Sequence, residues 1–319
     1  MTGQPTAGQP TAVQPTPGQP APTRLRARIA AAPISWGVCE VPGWGHQLSA
    51  GRVLAEMAGL GLAATEFGPD GFLPADPPER AATLRSYGLA AVGGFVPVVL
   101  HEPGHDPLPA VRTALRALAG CGARTLVLAA ATGRDGYEQR PALDAAGWHT
   151  LLANLAGIVA LAAAEGVTAA LHPHIGTMVE RPEEVRRVLD GGDAPLCLDT
   201  GHLLAGGTDP VDLARRAADR IAHVHLKDVD AGAAARVRSG EVGYAAAVAA
   251  GLYRPLGQGD VDIAVLVPLL ERSGYRGWYV MEQDTVLTGE PAPGTGPVAD
   301  VRTGLDYLLA LEPEGTPAG

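Results

Sequence analysis

The sequence contains few cysteines and no cluster of them. Cys39, Cys121 and Cys197 are odd in number and lie far apart, and no two of them form a Cys-x-x-Cys pair. This spacing argues against a disulfide framework and against a structural zinc site, and it is typical of proteins from a reducing compartment. We therefore expect a cytoplasmic protein.

Concentrated positive charge and export signals are also missing. The net charge is −10 and no dense group of Lys or Arg is present, so we expect no nucleic-acid partner. No apolar run approaches the length of a membrane span, and the amino terminus lacks the charged-then-apolar layout of a signal peptide. We expect no membrane partner, and a homo-oligomer stays open.

The first segment of the chain is of low complexity. Gln-Pro-Thr recurs at residues 4–6, 9–11 and 14–16, and the biased composition continues to about residue 23. Such a segment has almost nothing to bury and predicts disorder. We expect a disordered tail at residues 1–27, one folded domain at residues 28–312 and a flexible carboxyl terminus at residues 313–319.

Beyond the tail, short apolar runs alternate with Ala/Leu/Arg-rich segments of helical spacing. The candidate strands are residues 29–36, 63–67, 90–96, 125–130, 168–174, 195–199, 222–226 and 278–282. Eight such βα units predict an α/β fold, a single (β/α)₈ TIM barrel. The alternative is a doubly wound open sheet, which normally has fewer strands and often a Gly-rich phosphate loop that this sequence lacks.

Four consecutive candidate strands carry polar side chains near their carboxyl ends, where parallel α/β folds place active sites. These are His172 and His174 in the fifth, Asp199 in the sixth, His225 and Lys227 in the seventh, and Glu282 in the eighth. A single strand-end histidine is more often an ordinary core residue, but a set of this kind favours a metal site. Carboxylates with imidazoles suit transition metals better than an all-oxygen cage does. We expect Mn²⁺ or Co²⁺ first, and leave Zn²⁺, Fe²⁺ and Mg²⁺ open.

One connection, residues 228–262, is unusually long. Long loops in compact domains are commonly functional or disordered. This one could cover the site and bring Arg236, Arg238 or Arg254 to a substrate oxygen. Equally, it could be a surface excursion with solvated charges.

Four motifs resemble those of the xylose-isomerase-like TIM-barrel superfamily of sugar isomerases, epimerases and dehydratases. They are Leu-Asp-Thr-Gly-His at 198–202, His-Val-His-Leu-Lys-Asp at 223–228, Gly-Gln-Gly-Asp-Val-Asp at 257–262, and the segment 277–282. The resemblance covers about residues 28–311. Within the superfamily, the runs His-Pro-His-Ile-Gly-Thr at 172–177 and Ala-Pro-Ile-Ser-Trp at 32–36 are most similar to inosose dehydratases, which remove water from 2-keto-myo-inositol.

The resemblance implies that Asp199, His225 and Glu282 bind the metal and that His202 contacts the substrate. It departs from the superfamily at His172, where isomerases and epimerases carry a Glu that serves as ligand and base. His172 could take over that ligand position, or His174 or water could.

Two further residues have a functional and a structural interpretation. Glu66 ends the second candidate strand, where the superfamily often has an acidic residue near the substrate; it could instead form an ion pair at a helix terminus. Trp36 could stack on the C–H face of a sugar ring, or pack at the barrel rim.

The expected chemistry is proton removal next to a carbonyl group. A divalent metal polarises the carbonyl and an adjacent hydroxyl, and the resulting enediolate is either reprotonated or expels a β-hydroxyl. With His172 in place of one of the two carboxylates, Glu282, His174 and Lys227 are the candidate acids and bases. This favours dehydration of a keto-cyclitol, and a polyol, ketose or keto-cyclitol is the expected small-molecule substrate.

Three alternatives remain. A sugar or inosose isomerase or epimerase would use nearly the same ligands. A DNA-repair endonuclease of a related barrel would need more ligands and a basic groove, which the net charge of −10 disfavours. A non-catalytic binding protein would not need four convergent ligands.

Overall fold

The computed structural model describes residues 25–312, so residues 1–24 of the predicted tail and the predicted carboxyl terminus at 313–319 lie outside this range. The strands are β1 (Ile29–Ala31), β2 (Ala64–Thr65), β3 (Ala90–Ala91), β4 (Gly93–Val99), β5 (Thr125–Ala131), β6 (Thr168–Leu171), β7 (Leu196–Asp199), β8 (Ile221–Leu226), β9 (Asp228–Val229), β10 (Tyr253–Arg254) and β11 (Tyr279–Met281). The helices are α1 (Ala50–Gly59), α2 (Pro77–Ser86), α3 (Leu108–Cys121), α4 (Ala145–Ala164), α5 (Pro182–Asp190), α6 (Thr200–Gly206), α7 (Pro210–Arg216), α8 (Ala231–Arg238), α9 (Tyr244–Ala249), α10 (Ile263–Arg272) and α11 (Pro297–Ala310).

Nine parallel strands form one sheet in the order β3-β2-β1-β11-β8-β7-β6-β5-β4. Only Val92 separates β3 from β4, and β3 pairs with β2 while β4 pairs with β5. The two segments are therefore one interrupted barrel strand that joins both ends of the sheet. Counted this way, eight barrel strands close a ring, and the predicted TIM barrel is confirmed.

Strand alternation separates an outer core from the barrel interior. Ile29 and Ala31 belong to the large apolar cluster that contains the buried faces of the helices. The residue between them, Ala30, packs instead with Ala64, Val92 and Val280 in a cluster without helical members. The barrel interior is thus lined by small side chains, which leaves room for polar groups near its carboxyl end.

Several candidate strands are shorter than the sequence predicts, the first and the fifth among them. The first ends at Ala31, and residues Pro33–Trp36 form a 3₁₀ turn. The fifth ends at Leu171, before His172 and Pro173, because proline cannot donate a ladder hydrogen bond. The polar residues predicted at the ends of these two strands therefore lie beyond the strands, at the carboxyl end of the barrel.

The long connection is not a loop throughout. It contains α8, α9 and the antiparallel pair of β9 with β10. Its ends are tied together by the buried Asp228 carboxylate, which accepts the N–H groups of Gly257, Gly259 and Val261 at 2.8–3.0 Å. A Cβ at Gly259 would lie 2.3 Å from an Asp228 oxygen, so glycine is required there. Two of the sequence motifs therefore bind each other.

Helix α4 corrects the expectation that no apolar run approaches a membrane span. By length and composition alone it could cross a membrane, with a mean hydropathy of 1.4. In the barrel its residues Trp148, Leu151, Leu155 and Ile158 are buried, so one face of α4 packs as a helix of the outer ring.

The folded domain begins before the expected boundary at residue 28. Leu25 is buried, and its backbone N–H donates to Glu312 Oε1 at 2.7 Å. This contact joins the first and last described residues of the chain.

Candidate active site

A cavity of about 690 Å³ opens at the carboxyl ends of the barrel strands. Among the side chains that line it are His172, His174, His225, Lys227 and Glu282. The structure thus brings together the polar residues that the sequence placed at four consecutive strand ends.

The two carboxylate oxygens of Asp199 make different contacts. It is the last residue of β7 and caps α6, with Oδ1 accepting the N–H groups of Gly201 at 2.9 Å and His202 at 2.8 Å. Oδ2 is left for the cavity side. Burial alone would raise the pKa of this carboxyl, but the Lys227 ammonium and neighbouring imidazoles hold it well below its usual range.

Three potential ligands converge on one point. His225 Nδ1 lies 3.6 Å from Asp199 Oδ2 and 3.2 Å from Glu282 Oε2, and the ligand atoms of the three residues lie within 4.8 Å of one another. Within residues 25–312, this buried Nδ1 has no hydrogen-bond partner of good geometry. Two carboxylate oxygens and an unpaired imidazole nitrogen are a donor set that fits a divalent transition metal.

Glu66 explains why Nδ1, and not Nε2, of His225 faces this point. Glu66 Oε1 lies 2.9 Å from His225 Nε2 and 2.8 Å from His223 Nε2. A carboxylate accepts both N–H groups, so the neutral form of His225 carries its hydrogen on Nε2 and leaves Nδ1 available. Glu66 lines the cavity, but its contacts are with these histidines and not with a helix terminus.

His172 approaches the same point from β6. Its Nε2 lies 3.1 Å from Asp199 Oδ2, and its buried Nδ1 has no hydrogen-bond partner among the described residues. Burial lowers the pKa of His172 despite the neighbouring carboxylate, so the ring is neutral at pH 7. A neutral imidazole can bind a metal or accept a hydrogen bond.

Lys227 fills the centre of the polar cluster. Its Nζ lies 3.0 Å from Glu282 Oε2, 2.9 Å from Asp284 Oδ1 and 2.9 Å from His202 Nε2, with Asp199 Oδ2 at 3.4 Å. Burial alone would lower the pKa of Lys227, but the three carboxylates raise it well above its usual value. Lys227 is therefore an ammonium ion.

His174 and His202 stack on one side of this cluster, with ring centroids 3.7 Å apart. His174 Nδ1 donates to the Ile175 carbonyl at 2.7 Å, which leaves Nε2 as an acceptor. Burial lowers the pKa of His174 to about 3, and the pKa of His202 is also well below its ordinary value. Both rings are neutral.

Comparisons with known proteins show which family the chain resembles. A family profile described as xylose isomerase-like TIM barrel matches residues 54–311. An inosose dehydratase of Geobacillus kaustophilus is 33% identical over 270 residues, which cover 81% of this chain and 87% of the relative. The rhizopine catabolism protein MocC of Rhizobium meliloti is 36% identical over 266 residues, covering 81% of each chain.

The chain belongs to the xylose isomerase-like TIM barrel family. Among solved structures, an L-ribulose 3-epimerase superimposes with a TM-score of 0.64 at 17% identity, over 89% of this chain and 94% of the other. At that identity the likeness shows the fold alone. The relatives, which include the inosose dehydratase, bear out the expectation that the chain is an enzyme.

Three residues expected near the substrate do not line the cavity: Trp36, Arg254 and His202, whose ring nitrogens face Lys227 and Tyr253. Trp36 is fully buried and donates from Nε1 to Glu56 Oε2 at 2.9 Å, which is the packing alternative. Arg254 is exposed and pairs with Asp230 at 3.2 Å. In the connection between β1 and α1, the aromatic residue that lines the cavity is Trp44 and not Trp36.

The other arginines of the long connection also point away. Arg236 forms an exposed ion pair with Glu241, and Arg238 donates to the carbonyl groups of Leu204 and Ala205. These arginines therefore belong to the protein surface, as the second interpretation of the long connection predicts.

Two features of the site could have been found in the sequence. Asp284 stands two residues after Glu282, and strand periodicity puts both on one face. Lys227 is the only lysine in the sequence, beside 23 arginines. A chain that uses arginine at every other basic position retains lysine where a compact ammonium is enclosed by carboxylates.

Proposed function

We propose that the chain is a cytoplasmic, metal-dependent lyase that removes water from a keto-cyclitol, with 2-keto-myo-inositol as the substrate. The observation that carries this proposal is the buried cluster of Asp199, His225 and Glu282 beside the Lys227 ammonium and the neutral His174. The inosose dehydratase of Geobacillus kaustophilus, which matches most of both chains, supports the choice of substrate.

A divalent metal, Mn²⁺ or Co²⁺ in the first instance, would be held by Asp199 Oδ2, His225 Nδ1 and Glu282 Oε2, with His172 next to Asp199 as a further ligand. When bound, such a metal polarises the carbonyl and an adjacent hydroxyl of a ketose. Glu66 holds His225 in the required tautomer. His202, the substrate contact that the resemblance implies, does not line the cavity, and we propose that it acts on the substrate through Lys227.

His174 is the proposed base. Its Nε2 lone pair is free because Nδ1 donates to Ile175, and a low pKa keeps the ring neutral. It takes the proton from the carbon next to the carbonyl, and the electron pair of that C–H bond forms an enediolate. A ring whose pKa is about 3 is a weak base, so the reaction relies on the acidified substrate proton.

Lys227 is the proposed acid. As the enediolate collapses, the C–O bond to the β-hydroxyl breaks and the leaving oxygen takes a proton from the ammonium, departing as water. Glu282 and Asp284, each within 3.0 Å of Nζ, orient the ammonium and stabilise its charge before transfer. When the product leaves, His174 releases its proton to solvent and Lys227 takes one back, which restores both groups.

An isomerase or epimerase acting on a ketose or inosose is the second candidate. The observation in its favour is that ionisable groups, His174 and Glu282, both line the cavity and could exchange a proton with the same carbon. Such an enzyme would return the proton and would not need Lys227 to protonate a leaving hydroxyl.

The two candidates separate in one experiment. The purified protein is loaded with Mn²⁺ and incubated with 2-keto-myo-inositol in D₂O. Dehydration predicts a product lighter by one water that absorbs in the ultraviolet as a dione. Deuterium in recovered substrate without water loss would establish the isomerase or epimerase, and absence of both would refute the proposed substrate.

A further inference from the structure

Two buried tyrosines of the long connection contact the polar cluster without being among the expected site residues. Tyr244 is the first residue of α9 and Tyr253 the first of β10, and both are buried. Their hydroxyl oxygens lie 3.0 Å apart. Tyr244 donates to Asp284 Oδ2 at 2.8 Å, and the Tyr253 oxygen lies 3.3 Å from His202 Nδ1.

These contacts have one consistent direction. The Lys227 ammonium can only donate, so His202 Nε2 accepts from it at 2.9 Å. A neutral imidazole with an accepting Nε2 carries its hydrogen on Nδ1, which then donates to Tyr253. Since Tyr244 gives its hydrogen to Asp284, Tyr253 must give its own to Tyr244.

The chain of bonds returns to its start. The closing contact is an ion pair, with Asp284 Oδ1 2.9 Å from Lys227 Nζ, so Lys227, His202, Tyr253, Tyr244 and Asp284 form a ring. Lysine has three N–H groups: His202 Nε2 accepts one, and the ion pair with Asp284 Oδ1 engages a second. The third is left for the ion pair with Glu282 Oε2, 3.0 Å away on the cavity wall.

Packing holds the ring in place from outside. A Cβ at Gly201 would lie 2.5 Å from Lys227 Cβ and 2.8 Å from the Tyr253 ring, so the backbone of α6 presses directly on both side chains. The Tyr253 ring also lies beneath the ammonium, with Nζ 5.4 Å from its centroid.

We propose that Tyr244 and Tyr253 are positioning residues that hold His202 as its Nδ1–H tautomer and thereby aim the third N–H of Lys227 at Glu282 and the cavity. The kinetic consequence rests on the proposed function, in which Lys227 is the acid. The tautomer and the orientation of the ammonium do not rest on it.

The test uses magnetic resonance of the full chain after chelation. Protein labelled with ¹⁵N at the lysine Nζ gives one signal, because Lys227 is the only lysine, and ¹⁵N-histidine reports which ring nitrogen carries hydrogen. His202→Gln assigns the histidine signal. We expect His202 to be a single Nδ1–H tautomer, and Tyr253→Phe to change the shift and speed the solvent exchange of both signals.

Tyr244→Phe should give a smaller change of the same kind, because it breaks the ring one bond further from His202. Tyr279→Phe is the matched control, since its hydroxyl donates to Glu271 on the far side of the barrel wall. An Nε2–H tautomer in the parent protein, or unchanged signals in Tyr253→Phe, would overturn the proposal.

Steady-state kinetics separate this proposal from the proposed function. Tyr253→Phe should lower kcat on 2-keto-myo-inositol by about 10-fold with KM almost unchanged, because the acid is misaligned rather than the substrate lost. A failure of the parent protein to dehydrate this substrate would refute the function while the resonance result still decides the ring. A rise in KM with kcat unchanged would refute the positioning role of Tyr253.

Discussion

The two halves of the cavity wall differ in chemistry and in how they are built. The half formed by β6, β7, β8 and β11 carries the imidazoles, carboxylates and ammonium. The half that follows β1 to β4 is mostly apolar, and its members include Pro33, Ile34, Phe67, Leu73 and Phe95. The polar half sits on or within a few residues of barrel strands, whereas the apolar half combines β4, which carries Phe95, with the loops that follow β1 and β2.

The difference shows where precision is needed. Strand register places Asp199 directly opposite His225, and His225 opposite Val280, two residues before Glu282. Hydrogen-bonded strands hold these side chains more rigidly than a loop could. The apolar half supplies shape and excludes water, which tolerates small shifts. We therefore expect substitutions in the two halves to have effects of different size and kind.

The largest effect should come from the carboxylates that face His225. Asp199→Asn keeps the cap on α6, because Asn caps helices as well as Asp does, but removes the charge. Glu282→Gln likewise removes the charge of the second carboxylate next to His225 Nδ1. We expect both variants to lose bound metal and measurable activity. The control is Asp70→Asn, an exposed carboxylate at the apolar side of the cavity, which should keep both; elemental analysis and turnover measure the outcome.

A smaller but still large loss is expected at Lys227. Lys227→Arg keeps the positive charge but replaces a compact ammonium by a planar group that cannot donate to three convergent partners. Turnover should fall by about 10²- to 10⁴-fold with metal content unchanged, the usual range for loss of a general acid. Turnover within a few-fold of the parent would show that charge alone is needed.

The next effect concerns Glu66. It follows β2 on the apolar side of the cavity, but its carboxylate contacts His223 and His225 of the polar half. Glu66→Gln keeps an oxygen that can accept from His223 and His225 but removes the negative charge that supports His225. We expect metal affinity to fall by about 10- to 100-fold, as is typical when a carboxylate behind a ligating histidine is lost. Titration with Mn²⁺ measures it, and unchanged affinity would remove Glu66 from the account.

The smallest effect is expected at Phe95, which packs against His172 and His174 with ring centroids 5.9 and 5.6 Å away. Phe95→Leu should leave kcat within about twofold and raise KM by less than roughly 10-fold, because only shape contacts are lost. Steady-state kinetics on the metal-loaded enzyme decide this. A loss comparable with that of Lys227→Arg would erase the distinction between the two halves.

The polar half was largely predictable from the sequence because strand alternation is local. His172, Asp199, His225, Lys227 and Glu282 each follow an apolar run, and parallel strands bring their carboxyl ends to one edge. The barrel was predictable for the same reason, although the break at Val92 was not, since it depends on how the ring closes.

Contributions from loops were not predictable, because their path depends on distant contacts. Trp36 has an aromatic side chain of the kind that stacks on sugars, but a 3₁₀ turn directs it to Glu56. Arg254 has the charge to bind substrate, but β9–β10 pairing places it at the surface. The same pairing buries its neighbour Tyr253 against His202, which no local pattern indicates.

The measurement that tests the central claim most directly is calorimetric titration of chelated protein with Mn²⁺ across a range of pH. Burial alone would lower the pKa of His225, but Cys197 and the carboxylates of Glu282 and Glu66 raise it well above its ordinary value of about 6.5. Below that raised pKa the metal must displace a proton from Nδ1, so affinity should increase as pH rises and level off above it. We predict one ion per chain with proton release near pH 7. Absence of saturable binding, or binding without proton release, would contradict a metal centre at Asp199, His225 and Glu282.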